Sequence, residues 1–395
     1  MTPTRRALVT TLALTATLTT TPTAQAADTP QHPWYFDTYR IEDVWEHTTG
    51  EGITVAVIDS GVDSSLPELQ GQVLDGTDLT ADPQGAHVDT GGHGTDMAAL
   101  IAGTGEGNGI QGLAPGSKIL PIRVTLGGVS LGGTERFGDG IIHAIESGAK
   151  VINISQGGTM PEDELSEAIA LAARHDVLIF ASAGNTGDTT NHLESPASLP
   201  GVVGVGAVDS SGERSPYSTY GAQVALAAPG DDVPRHCGDL SGPICIKDEG
   251  GTSSATALAS ASAALIWAQH PDWTKNQVLR VMLNTAERPD DQRRDDYTGY
   301  GIVRPDRVVL DGEGDPGDPD SPPIFRDWEA ELRPPATPSP TPETSPGPDA
   351  ETTPAPDAEP AATSDDASPL PWLLGGGAAV LVAGSVGWLL WRRRA

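Results

Sequence analysis

The chain has 395 residues, of which 47 are glycine and 34 are proline, and many of the prolines follow residue 311. A folded part of about 280 residues that ends near this point is long enough to bury a single large core. The 54 acidic and 23 basic side chains give a formal net charge of −31. This charge argues against nucleic acid as a partner, because phosphates require lysine and arginine, and we interpret it as solubility outside the cell.

The N-terminus is typical of an export signal. Arg5 and Arg6 precede an apolar, threonine-rich stretch, and Ala24-Gln25-Ala26 has the small-x-small pattern of a signal peptidase site. The sequence therefore predicts a signal peptide over residues 1–26. The alternative, a short anchoring helix, is disfavoured because the apolar core is short and rich in threonine.

Residues 27–310 alternate apolar, β-rich runs with helical stretches. Strands are predicted at 53–58, 118–124, 150–155 and 177–182, and helices at 93–103, 135–148, 161–174, 253–269 and 274–286. Nearly continuous apolar strands suit a parallel sheet that is covered on both faces. The alternation predicts a single α/β domain, with a doubly wound, mainly parallel sheet flanked by helices. Functional groups of such sheets collect at the carboxyl ends of the strands.

Four polar residues stand at positions where such a sheet presents chemistry. Asp59 ends the first strand, His93 lies in GGHGT, Asn185 lies in a glycine-flanked turn, and Ser253 opens a helix after GGT. Each has a structural explanation: a strand-end cap or metal ligand, a structural histidine, a turn former and an N-cap. The helix would equally place its positive end beside the serine oxygen, where it stabilises developing negative charge.

Taken together and in this order, the motifs VAVIDSGVD, GGHGTDMAALIAG, ASAGN and GGTSSATA resemble those of the subtilisin-like peptidases, or subtilases. The resemblance covers most of residues 34–286 and implies an endopeptidase with an acyl-enzyme intermediate. Ser253 would attack the scissile carbonyl, His93 would transfer the proton, Asp59 would orient His93, and Asn185 would hold the oxyanion. Ser254 follows directly where the family commonly has Met, which leaves open which serine attacks, although the Gly-Thr-Ser alignment favours Ser253.

The same resemblance implies a substrate cleft and no cofactor. An extended polypeptide would add as a strand beside the cleft walls, whose predicted substrate-binding residues are Ser155, Gln156, Gly157, Gly158, Ala181, Ala183 and Gly184. The acidic run from Asp290 to Asp296 could bind calcium. Because arginines are interleaved with these acids, we favour a solvated, ion-paired loop and predict no metal.

Cys237 and Cys245 lie eight positions apart in a loop that contains glycine and proline. Outside the cell they are predicted to form a small disulfide, and the alternative is two free thiols.

The C-terminal part is predicted to hold the domain at a membrane. Residues 311–368 are rich in proline, threonine, serine and acids, which indicates a disordered stalk. Residues 369–391 are a predicted transmembrane helix, with 18 uncharged residues from Leu373 to Leu390 between Trp372 and Trp391. The basic tail at 392–395 favours the cytoplasmic side, so the catalytic domain would be extracytoplasmic at the cell membrane.

This architecture resembles the mycosin branch of the subtilases, because the catalytic resemblance begins only a few residues after Ala26. Mycosins are membrane-anchored subtilases that are associated with type VII secretion in actinobacteria. The resemblance implies polypeptide substrates and a secretion complex as partner. The alternative from another class is a catalytically silent structural component of such a complex. An esterase or lipase is disfavoured because it expects the chain order Ser, Asp, His, whereas the order here is Asp, His, Ser.

Overall fold

Strands are interspersed with helices in the first half of the chain, and a run of consecutive strands followed by helices forms the later part. The computed structural model describes residues 32–126, 136–158, 162–247, 250–288 and 293–332. The strands are β1 (Thr54–Asp59), β2 (Thr77–Asp78), β3 (Lys118–Arg123), β4 (Val151–Ile154), β5 (Leu178–Ser182), β6 (Val202–Val208), β7 (Val224–Pro229), β8 (Val233–His236) and β9 (Ile244–Lys247). The helices are α1 (Trp34–Thr38), α2 (Ile41–Trp45), α3 (His93–Ala102), α4 (Phe137–Glu146), α5 (Glu162–Arg174), α6 (Thr252–Gln269), α7 (Lys275–Thr285), α8 (Pro305–Val309) and α9 (Arg326–Leu332).

A seven-stranded sheet organises these described residues, in the order β2-β3-β1-β4-β5-β6-β7. All its neighbouring strands are parallel. β1 pairs with β3 on one side and with β4 on the other, so the strand order reverses between β1 and β4. In an open α/β sheet this reversal creates a crevice at the carboxyl ends of the strands, which is where ligands bind.

Both faces of the sheet are covered by helices, which explains why its strands are apolar throughout. Along β1, Val55 and Val57 pack into the core on the side of α3, α6 and α7. Ala56 and Ile58 pack into the core beneath α4 and α5. The predicted α/β fold with a mainly parallel sheet is confirmed, and the predicted strands and helices agree with the structure to within about two residues. β6 and β7 and the antiparallel β8–β9 hairpin were not predicted.

The predicted end of the folded part at residue 310 is too early. Residues 311–332 continue the same compact unit. The guanidinium of Arg280 donates hydrogen bonds to the carbonyl oxygens of Pro316, Asp318 and Ser321. Trp328 of α9 packs against the core beneath α5. The composition of this segment suggested a disordered stalk. Composition does not show that an arginine far away in the sequence donates hydrogen bonds to its carbonyl oxygens.

Several predicted segments lie outside the described residues. These are the signal peptide at 1–26, the part of the stalk after residue 332, the transmembrane helix at 369–391 and the basic tail at 392–395. Within the described ranges, the structure contains no helix with the length and apolar character needed to cross a membrane.

Candidate active site

Asp59 and His93 form a hydrogen-bonded pair at the carboxyl end of β1. Asp59 is the last residue of β1 and is fully buried, and His93 is the first residue of α3. His93 Nδ1 lies 2.8 Å from Asp59 Oδ1 and 3.0 Å from Asp59 Oδ2. Asp59 Oδ1 also accepts hydrogen bonds from Ser60 N at 2.8 Å and from Gln156 Nε2 at 3.0 Å. These donors fix the orientation of the buried carboxylate toward the imidazole.

The surroundings of His93 favour its protonated form. Burial lowers the pKa of His93, but the negative charge of Asp59 and the hydrogen bond to it outweigh this effect and raise the pKa above its ordinary value. The His93 side chain is 29% exposed, so one edge of the ring is open to a bound molecule. An oriented imidazole whose charged form is stabilised is suited to accept a proton and return it.

Ser253 lies beside this pair in the first turn of α6. Its Oγ donates a hydrogen bond to the carbonyl oxygen of Ser155 at 3.0 Å, and Ser155 Oγ donates to the carbonyl oxygen of Ser253 at 2.9 Å. The next residue, Gln156, has its amide nitrogen 3.4 Å from His93 Nδ1. Adjacent residues of one segment therefore contact Asp59, His93 and Ser253. Within the described residues, no hydrogen bond joins Ser253 Oγ to His93 in this rotamer.

The burial of the two neighbouring serines distinguishes them. Ser253 is partly exposed, whereas Ser254 is only 8% exposed. A nucleophile must reach the substrate, so this difference favours Ser253 over Ser254.

Asn185 is an exposed residue whose side chain is hydrogen-bonded to the first residue of α6. Its Oδ1 accepts hydrogen bonds from Thr252 N at 2.9 Å and from Thr252 Oγ1 at 3.0 Å. Because the side-chain oxygen is occupied, the NH₂ group is left to donate. The first N–H groups of a helix also lack intrahelical acceptors. Asn185 and the N–H of Ser253 are therefore candidate donors for an oxyanion at the start of α6.

Residues 50–301 of the chain match a known protein family. The model of the Subtilase family (peptidase S8) matches residues 50–301, which include Asp59, His93, Asn185 and Ser253. The chain belongs to the subtilase family. Its family is that of the subtilisin-like serine endopeptidases.

Curated relatives agree with this assignment. The subtilase is 34% identical to subtilisin from Bacillus pumilus over 241 residues, which are 60% of this chain and 85% of that protein. It is also 34% identical to fervidolysin from Fervidobacterium pennivorans over 297 residues, 68% of this chain but 42% of that protein. The chain therefore spans less than half the length of fervidolysin.

Solved structures point to one branch of the family. The subtilase superposes on MycP1 from Mycobacterium smegmatis with a TM-score of 0.65 and 27% identity, over 75% of this chain and 89% of that one. It superposes on the MycP3 protease from the type VII (ESX-3) secretion system with a TM-score of 0.62 and 28% identity, over 72% and 90% of the two chains. The resemblance of the subtilase to the mycosins is confirmed.

The predicted cleft residues do not all face the cleft. Ala181 is fully buried in the apolar core beneath α4 and α5, so only its backbone could contact a substrate. Ala183 is also fully buried. The side chain of Gln156 is directed to Asp59 and His93, which makes it a group that positions the pair rather than part of a pocket wall. Ser155 has its hydroxyl on the backbone of Ser253, whereas Gly157 and Gly184 both face Glu194, a residue that sequence reasoning missed.

The β8–β9 hairpin of the subtilase is hydrogen-bonded to α3, the helix that contains His93. The structure joins Cys237 and Cys245 in a disulfide, with their Cα atoms 5.9 Å apart. The buried His236 lies with Nδ1 2.7 Å from Asp96 Oδ1 on α3 and Nε2 3.1 Å from Glu68 Oε1. No local sequence pattern predicts this cluster, because His236 is 140 positions from Asp96 and 168 positions from Glu68.

The His236 cluster predicts a loss of stability at alkaline pH. Burial lowers the pKa of His236, but its hydrogen bonds to Asp96 and Glu68 and their charges raise it to about 9. An unfolded histidine releases its proton near pH 6.5. The stabilisation is therefore complete below about pH 6.5 and is lost as pH rises through about 9, and it amounts to at most about 3 kcal/mol.

Urea unfolding from pH 6 to 9.5 would measure this slope. His236→Gln is expected to be less stable at pH 6, since it leaves two buried carboxylates without a cation, and to lose the pH dependence over this range. His175→Gln, in an exposed position after α5, is the matched control and should keep the wild-type slope. Equal slopes in wild type and His236→Gln would contradict the assignment.

The described part of the acidic run, residues 293–296, contains hydrogen-bonded and ion-paired side chains. Asp295 accepts hydrogen bonds from the backbone of Tyr297 and Thr298, and Asp296 Oδ1 lies 3.2 Å from Arg294 Nη1. Asp290 and Asp291 of the predicted calcium alternative lie outside the described residues. Within the described parts of the subtilase, no group of three or more His, Cys, Asp or Glu side chains is arranged to hold a metal ion.

Proposed function

We propose that this subtilase cleaves polypeptides by acyl transfer, with Ser253 as nucleophile, His93 as general base and acid, and Asp59 as the group that orients His93. The observation that carries the proposal is the Asp59–His93 pair, hydrogen-bonded at 2.8 Å, beside a partly exposed serine at a helix N-terminus. The reaction requires only groups of the chain itself. Neither a cofactor nor a metal ion takes part.

The proposed steps follow from the contacts. Rotation of the Ser253 side chain away from the Ser155 carbonyl would bring its hydroxyl toward the open edge of His93, because Asp59 occupies the Nδ1 edge. His93 Nε2 then takes the proton as Oγ attacks the substrate carbonyl, and Asp59 stabilises the imidazolium. The same proton passes to the leaving amine, and water repeats the sequence to release the acyl group.

Labelling with a fluorophosphonate probe tests the proposal directly, since the probe reacts with an activated serine. Wild-type protein should be labelled, Ser254→Ala should be labelled and Ser253→Ala should not. Labelling that disappears only in Ser254→Ala would contradict the choice of nucleophile. A wild type that resists labelling would favour the silent structural component of a secretion complex.

Replacement of Asn185 tests the proposed oxyanion site. Asn185→Ala is expected to lower kcat by about 10²- to 10³-fold with little change in KM, because one such donor contributes roughly 2.7–4 kcal/mol in the transition state only. Steady-state hydrolysis of a chromogenic peptide measures this split. Asn191→Ala, whose side chain contacts the backbone of Tyr220, is the control. A rise in KM with unchanged kcat in Asn185→Ala would contradict the role.

We further propose that the catalytic domain is extracytoplasmic, is anchored by the helix predicted at 369–391, and acts with a type VII secretion complex. The similarity to MycP1 and MycP3 supports this, since MycP3 is a protease from the type VII (ESX-3) secretion system. In detergent-free fractionation, the full chain should sediment with membranes and a chain that ends at residue 368 should not. Recovery of the full chain in the soluble fraction would contradict the anchor.

A further inference from the structure

Glu194 lies between two backbone segments that leave the sheet next to Ser253. β4 and β5 are parallel neighbours, with Ile154 opposite Ala181, so the segments that follow them leave the same edge of the sheet side by side. Gly158 and Ser195 exchange two backbone hydrogen bonds of 3.1 Å, which place Glu194 against the first segment. A carboxylate thus lies where the two cleft walls meet.

Two glycines make room for the Glu194 carboxylate. A Cβ added to Gly157 would overlap Glu194 Oε2, and a Cβ added to Gly184 would lie 3.3 Å from Glu194 Oε1. The carboxylate therefore rests against both backbones, and it fills a position that any other residue at Gly157 would obstruct. Gly184 also has a φ of +109°, which favours glycine for its conformation.

The space between the two cleft walls lies beside the proposed nucleophile, Ser253. Gly184 N donates to Thr252 Oγ1 at 3.3 Å, and Thr252 directly precedes Ser253. On the other wall, the carbonyl oxygen of Ser155 accepts the hydrogen bond of Ser253 Oγ. A substrate whose scissile carbonyl meets Ser253 would therefore direct the side chain of the residue before that bond, the P1 residue, between the two walls toward Glu194.

The Glu194 carboxylate is not neutralised by an ion pair within the described residues, although His192 lies near it. The half-buried carboxylate also accepts no hydrogen bond from these residues. Burial raises the pKa of Glu194, and the nearby His192 lowers it in part. The wall segments 155–158 and 181–184 carry no titratable side chain. A partly desolvated carboxylate without a partner is unfavourable, and a substrate cation would supply that partner through a charge-assisted hydrogen bond.

We propose that Glu194 lies at the base of the P1 pocket and makes the subtilase prefer substrates with lysine or arginine at P1. The inference rests on the proposed function and adds the class of substrate. Lysine and arginine are long enough to carry a charge past the walls to the carboxylate. A glutamate at P1 would meet a like charge in the same place and should be rejected.

Peptides that differ only at P1, with Lys, Gln, Leu or Glu, provide the test. Wild type should show a kcat/KM for Lys at least 10-fold above those for Gln and Leu, and lowest for Glu. Glu194→Gln, which keeps the shape and removes the charge, should lower the Lys to Leu ratio by about 10- to 100-fold, as expected when a hydrogen bond to a charged group is lost. Glu194→Asp keeps the charge and should retain part of the preference.

The control and a second readout separate the possible failures. Glu167→Gln, at an exposed position of α5, should leave both rates and their ratio unchanged. Peptidyl phosphonates with P1 Lys or P1 Leu report serine reactivity independently of peptide turnover. Labelling by both at equal rates, or a ratio unaltered in a folded Glu194→Gln, would overturn the inference alone. A preference for P1 Gln over Lys would show a neutral Glu194 and would also overturn it. Labelling by neither would overturn the inference together with the proposed serine chemistry.

Discussion

Ser253→Ala is expected to lower kcat for peptide hydrolysis by about a million-fold while leaving KM within a few fold. The hydroxyl forms the covalent bond in the proposed mechanism, so its loss removes the acyl-enzyme route entirely. Cleavage roughly 10³–10⁴-fold faster than in water should persist, because Asn185 and the N–H at the start of α6 still stabilise the oxyanion. Hydrolysis of a chromogenic peptide, followed over hours at high enzyme concentration, measures both effects.

The neighbouring serine provides the control for this measurement. Ser254 is buried and makes no hydrogen bond to Asp59 or His93 among the described residues, so Ser254→Ala should retain most of the wild-type activity. Thermal unfolding of both variants should stay near wild type. Activity of Ser253→Ala that remains within 100-fold of wild type would contradict the assignment of the nucleophile.

Patterns that are local in the sequence predicted the architecture well. The run from Val55 to Ile58 is apolar at every position because both faces of β1 are covered, so its strand character and central place follow from composition. Glycines beside His93 permit close approach of the backbone. An added Cβ at Gly94 would overlap the carbonyl oxygen of Gly61 and lie 3.0 Å from Asp59 Cβ, so α3 can begin this close to β1 only with glycine there.

Contacts between distant parts of the chain were not predictable in the same way. The position of Glu194 against Gly157 and Gly184 depends on the pairing of β4 with β5 and on the Gly158–Ser195 hydrogen bonds. No spacing within the sequence encodes that geometry. Gln156 was assigned to the substrate cleft from its segment, but its side chain contacts Asp59. The sequence indicates which segment approaches the site, while rotamers and long-range packing decide what each side chain does.

Asp59→Asn is expected to lower kcat by about 10⁴-fold, the second largest effect, although the group never contacts the substrate in the proposed mechanism. Asp59 Oδ1 accepts hydrogen bonds from Ser60 N and Gln156 Nε2, so an asparagine would keep its oxygen there. Its NH₂ group would then take the place of Oδ2 and face His93 Nδ1, which lies 3.0 Å from Oδ2. A donor facing Nδ1 makes that nitrogen an acceptor and moves the ring proton to Nε2, so the ring can no longer accept a proton from Ser253.

The pH dependence distinguishes this tautomer effect from a loss of folding. The charge of Asp59 helps to raise the pKa of His93, so removing it should lower that pKa and move the acidic limb of the kcat/KM profile to lower pH. Asp43→Asn on the surface of α2 is the control and should keep both the rate and the limb of wild type. If Asp59→Asn kept the wild-type rate, or if its acidic limb moved to higher pH, Asp59 would not be the carboxylate that orients His93. If instead Asp59→Asn lost activity while its thermal midpoint stayed unchanged, the cause would be the altered position of the ring proton on His93. The hydrogen bonds to Asp59 Oδ1 predict this outcome.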